Sequence, residues 1–112
     1  MTQTIPPADA LSLDALITPT AQGIASRILA RTTGGNLTLF AFGQGQGLAE
    51  HTSPFDAMVM VLEGSLNLTI GGAKVRATPR TIVRMPAGIP HALEAPEACR
   101  MLLIMLRDTK AA

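Results

Sequence analysis

The chain carries two histidines, His51 inside the stretch "EHTSPFDAMVMVLEG" and His91 at the end of "MPAGIPH". An imidazole can ligate a metal, move a proton or tie neighbouring backbone together, and in a β-protein an isolated one more often does the last. Ser53 follows His51 by two residues, which places both side chains on one face of an extended strand. A serine nucleophile beside that imidazole would also need an oxyanion hole, and none is readable. Cys99 is the only cysteine, which excludes an internal disulfide and a Cys-rich zinc site. Beside the apolar run "MLLIML" it reads as a small buried hydrophobe rather than a reactive thiol. The chemistry left open is that of two imidazoles, provided that the fold brings them into one pocket.

Short β-rich segments separated by turn residues must do that positioning. "IASRILART", "LTLFAF", "AMVMVLEG", "SLNLTI", "AKVRA" and "TIVRMP" follow one another at a spacing that predicts an all-β sandwich or barrel. Leu66, Leu68 and Ile70 alternate with Ser65, Asn67 and Thr69, giving one dry and one wet face. Gly71-Gly72 supplies the positive φ angles of a tight hairpin, and Pro79 presets a second turn. "AMVMVL" and "MLLIML" are apolar at every position, so each must be covered on both sides; a helix is the competing reading of the second, but the run is short and uncapped. Residues 1–22 lack a sustained period and are expected to form an arm that packs on the barrel or on a partner subunit, with Leu13, Leu16 and Ile17 as anchors. The barrel is expected over 23–108, and 109–112 as a disordered tail.

Composition narrows the classes. With 112 residues the chain makes one domain, and 47% hydrophobic against 15% charged residues gives it a core and a sparingly charged surface. That surface, with the two all-apolar strands, predicts a homodimer. Nine basic and eight acidic residues are scattered, and Trp and Tyr are absent, so nucleic acid is not an expected partner. No basic residue precedes Arg27 and no apolar run approaches the roughly 20 residues of a membrane span, so no membrane association and a cytoplasmic location are expected.

Gly45, His51, Ser53, Ala57 and Gly64 stand at the spacing G-x5-H-x-H-x3,4-E-x6-G, and Pro86, Gly88 and His91 at that of G-x5-P-x-G-x2-H-x3-N. These motifs resemble the two signatures of the cupin superfamily and span Gly45 to Ala95. The resemblance implies a small double-stranded β-helix (jelly-roll) barrel of six to eight strands, in which two histidines and a glutamate of the first signature and the histidine of the second converge on one divalent ion. Here only His51 and His91 fill those positions. Ser53 and Ala57 stand where a histidine and a glutamate would, so an ion (Fe, Mn, Ni or Zn) would be weakly held, with no fixed anion to offset its charge.

Asp56 lies one residue before Ala57. Strand alternation turns it away from His51 and Ser53, whereas an irregularity at Pro54 would re-aim it inward and complete a two-histidine, one-carboxylate face with His51 and His91. Otherwise it bonds backbone amides of its own loop. Gly64 and Gly88 suit tight turns, while Pro86 and Pro90 stiffen the loop presenting His91. Ser53, Ala57, Val59, Met85 and Leu93 are the expected pocket walls, and Met101 and Met105 belong either there or on an intersubunit face. The function expected first is binding of a small molecule or a weakly held divalent metal around His51 and His91. A metal-dependent enzyme of dioxygenase or isomerase type, using those residues with Asp56, and a non-catalytic structural dimer are the alternatives.

Overall fold

The computed structural model describes residues 4–18 and 21–108; the expected tail at 109–112 lies outside them. A single helical turn, α1 (Leu13–Leu16), precedes nine strands: β1 (Ile24–Thr32), β2 (Gly35–Phe42), β3 (Gly47–His51), β4 (Asp56–Glu63), β5 (Leu66–Ile70), β6 (Ala73–Ala77), β7 (Ile82–Met85), β8 (His91–Glu94) and β9 (Cys99–Leu106). They form a five-stranded sheet in the order β1-β2-β9-β4-β7 and a four-stranded sheet in the order β3-β8-β5-β6, every pairing antiparallel. The strand count exceeds the expected six to eight because β3 and β8, five and four residues long, carry too little apolar alternation to be read from sequence.

The inner faces of the sheets meet in one core, in which Phe42, Val59, Val61, Leu66, Leu68 and Met101 are at most 1% exposed. Side chains of this size contribute roughly 1.5–3 kcal/mol each on burial. The "MLLIML" run is the central strand β9, flanked by β2 and β4, so its Cys99, Met101, Leu103 and Met105 face inward and Leu102 and Ile104 outward. The hairpin between β5 and β6 turns at Gly71 and Gly72, with φ of +55° and +87°. In the next turn Thr81 N–H donates to the Thr78 carbonyl at 3.1 Å, and Arg80, after Pro79, takes a positive φ of +71°.

The arm covers part of the outer face of the larger sheet. A bulge in β1 between Ile28 and Ala30 lets Leu29 join Ile17, Leu39 and Ala41 in a second apolar cluster, against which Ile5, Leu16, Leu62 and Leu102 pack. Ile5 N–H donates to the Leu29 carbonyl, and Arg100 Nη1 donates to the carbonyl and carboxylate of Asp14, both at 3.2 Å. Of the expected anchors, Ile17 is buried and Leu16 half-buried, but Leu13 is 40% exposed, because the helical turn that carries it points it outward. Among the described residues no helix is long and apolar enough to cross a membrane.

Candidate functional site

Strands β3 and β8 are register partners, and His51 sits directly opposite His91. The register of β3 shifts between Leu48 and His51, so that both border the interior although three residues apart, and the two rings meet at one end of the barrel with centroids 4.4 Å apart and planes at 69°. His91 is 4% exposed, whereas His51 stands at the solvent edge. Each ring is fixed by nearby backbone: His51 Nδ1 lies 2.8 Å from the Ala49 carbonyl on β3, and His91 Nδ1 3.1 Å from the Ile89 carbonyl in the turn before β8. A carbonyl only accepts, so both Nδ1 atoms carry the proton, and in the neutral rings each Nε2 presents a lone pair.

A cavity of about 40 Å³ opens at these rings, walled by Leu48, Ser53, Ala57, Met85, Leu93 and the β9 residues Met101, Leu103 and Met105. The expected walls Ser53, Ala57, Met85 and Leu93 are among them. Val59 is not: it faces inward too, but two residues along β4 from Ala57 it is fully buried in the packed core. Ser53 Oγ accepts from Phe55 N–H at 3.1 Å, which ties the side chain to its own loop while leaving its hydroxyl hydrogen to donate.

Asp56 does not join the pocket, which corrects its assignment as a third ligand. Strand β4 runs regularly from Asp56 to Val61, with Ala57 paired to Met85 on one side and to Met105 on the other. Alternation therefore sends Ala57 in and Asp56 out, and no bulge follows Pro54 to reverse this. On the outer face Arg84 Nε donates to both carboxylate oxygens of Asp56, at 2.9 and 3.1 Å. That hydrogen bond, reinforced by the guanidinium charge, holds the Asp56 carboxyl below its usual range. The pair's small contribution to stability is present above the ordinary aspartate range and fades as pH falls through the lowered value. Glu50 and Glu94 are also exposed, and among the described residues no group of three or more His, Cys, Asp or Glu side chains could hold a metal.

The four-ligand set therefore does not fit this chain. Two imidazoles remain, with no carboxylate among the described residues of the cavity's walls. A larger open depression of about 430 Å³ lies on the outer face of the four-stranded sheet, where Asn67, Thr69, Lys74, Arg76 and Glu94 line it. Apart from half-buried Thr69 these side chains are solvent-exposed, whereas the smaller pocket is the one that the two imidazoles border.

The cupin domain family model matches residues 38–105. Among solved structures, the chain is similar to a conserved Streptococcus pyogenes protein of unknown function, at 35% identity and a TM-score of 0.90 over 97% of this chain and 96% of that one. A cupin superfamily protein of Desulfitobacterium hafniense aligns at 26% identity and a TM-score of 0.86, over 96% and 99% of the two chains. A cupin 2 conserved barrel domain protein from Leptotrichia buccalis aligns at 30% identity and a TM-score of 0.83, over 87% of this chain and 47% of that one. Among curated proteins there is no match.

Proposed function

The chain belongs to the cupin family, and from that premise we propose that it is a binding module whose pocket holds a single metal ion between His51 and His91. The observation that carries this is the pair of rings 4.4 Å apart, each with Nδ1 committed to backbone and Nε2 left to donate. Size selects the guest. About 40 Å³ admits an ion with a water, while organic ligands occupy cavities of roughly 300–1,000 Å³. The module reading also rests on the donor inventory: among the described residues, the only titratable or hydroxyl group on the cavity wall apart from the two imidazoles is Ser53, too little for an acid, base and nucleophile set.

Equilibrium dialysis against Fe(II), Mn(II), Ni(II), Zn(II) and Cu(I), followed by elemental analysis, tests it. One ion per chain is expected for the parent and for Asp56→Asn, and essentially none for His51→Ala or His91→Ala. Full uptake by both histidine variants would overturn the reading.

We further propose a homodimer through the outer face of the larger sheet. Support comes from Met58, Met60 and Ile104, which the arm leaves half-buried, beside Ile82 at 57% exposure. Light scattering at micromolar concentration should return twice the chain mass; a monomer would contradict this.

A further inference from the structure

The pocket's second wall is as specific as its first. Across the three strands β7, β4 and β9, Met85, Ala57 and Met105 form one inward-facing row in direct register. Ala57 is the smallest side chain that can stand there without breaking the strand, and it leaves its volume to the thioethers on either side. Direct cross-strand neighbours lie about 4.5–5.5 Å apart at Cβ, within easy reach for a flexible methionine. Met101, two residues from Leu103 on the same face of β9, also borders the cavity. The four-stranded sheet thus brings two imidazoles to the cavity, and the five-stranded sheet brings three methionines.

Charge and softness then choose the ion. Among the described residues no anionic side chain lines the cavity, and the desolvation penalty of an ion rises with the square of its charge. A monovalent cation therefore meets about a quarter of the penalty of a divalent one of the same size. Thioethers are poor partners for Mn(II), Fe(II) or Zn(II) that arrive without a compensating anion, but they are preferred donors of Cu(I), as imidazole also allows. Cys99 is not part of this set: it is fully buried, does not border the cavity, and burial pushes its thiol up to about 12.

We propose that this pocket is a Cu(I) site in which the Nε2 atoms of His51 and His91 and the thioether sulfurs of Met85 and Met105 hold the ion, with Met101 closing the floor. The inference rests on the histidine-pocket reading above and names the class of ion it takes.

The test is an anaerobic titration of the protein with Cu(I) against a chromophoric Cu(I) chelator, run beside dialysis with Zn(II) and Ni(II). Four proteins are compared with the parent: Met85→Leu, Met85→Leu with Met105→Leu, His51→Ala with His91→Ala, and Cys99→Ala. Methionine to leucine conserves volume and should leave folding intact, as a melting curve verifies. Expected for the parent is one Cu(I) per chain, bound in preference to Zn(II) and Ni(II). The double methionine variant should lose about 10-fold or more in Cu(I) affinity with its weak divalent uptake unchanged, and Met85→Leu should fall between. The double histidine variant should lose all ions, and Cys99→Ala none. Tighter binding of Zn(II) or Ni(II) than of Cu(I), or Cu(I) affinity indifferent to both methionines, would overturn the soft-ion assignment while leaving the histidine pocket standing. No ion in the parent, or ions kept by the double histidine variant, would remove both.

Discussion

Ser53→His combined with Ala57→Glu is expected to turn a weak divalent site into a firm one, raising Ni(II) or Zn(II) affinity by at least roughly 100-fold. Both positions border the cavity that His51 and His91 border, so the change adds an imidazole and a fixed anion to the two imidazoles already there. The missing anion matters most, since it offsets the charge that the present walls leave uncompensated. The apo protein should suffer, because glutamate between Met85 and Met105 overfills a site that now holds a methyl group; overpacking of this kind costs about 1–3 kcal/mol. Bound metal should return that loss, as ligand at 100 times its Kd stabilises by about 2.7 kcal/mol. Calorimetric titration with Ni(II) and melting with and without it read both effects. The same variant should lose preference for Cu(I). Affinity no better than the parent's would mean that residues 53 and 57 do not face the histidine pair.

A large loss of stability is expected at a glycine that the site never touches. Gly64 joins β4 to β5 with φ of +78°, and a Cβ there would collide with the carbonyl oxygen of Ala98 and come within 3.0 Å of Cys99 Cα. Both obstacles are backbone at the start of the central strand β9, so neither can swing aside. Left-handed φ alone costs a side chain roughly 1–2 kcal/mol, and displacing β9 brings the expected penalty of Gly64→Ala to about 3 kcal/mol. For a domain of this size that lowers Tm by more than about 10 °C. Gly88→Ala is the internal control: φ is +77°, but its Cβ would meet open space, so only the dihedral cost applies. Equal melting temperatures for the two variants would show that the close approach at Gly64 is absent.

These two positions also mark what the sequence carries about the fold. Glycine at 64, the Gly71-Gly72 pair and Pro79 all read as turns because their backbone needs are local, and all are turns. "AMVMVL" and "MLLIML" read as strands covered on both faces because nothing in them alternates, and they are the adjacent strands β4 and β9. Registers are not local. That His51 faces His91, and that Met85 and Met105 flank Ala57, depends on which strands pair and at what offset, and no single segment encodes this. Asp56 shows the opposite error: alternation alone places it outward, and Pro54 invites a bulge that β4 does not make. Its partner on the outer face is Arg84, 28 residues away on β7, the strand that pairs with β4. The sulfur wall was legible only as methionines of uncertain side, since inward and outward faces of an all-apolar strand look alike before its neighbours are known.

X-ray absorption on protein loaded with one equivalent of Cu(I) tests the shared-ion claim most directly, because it reads the donors themselves. Two imidazole nitrogens with sulfur in the first coordination sphere, and loss of that signature in His51→Ala with His91→Ala, is the predicted result. A shell of oxygen alone, or a spectrum unaltered by removing both histidines, would contradict it.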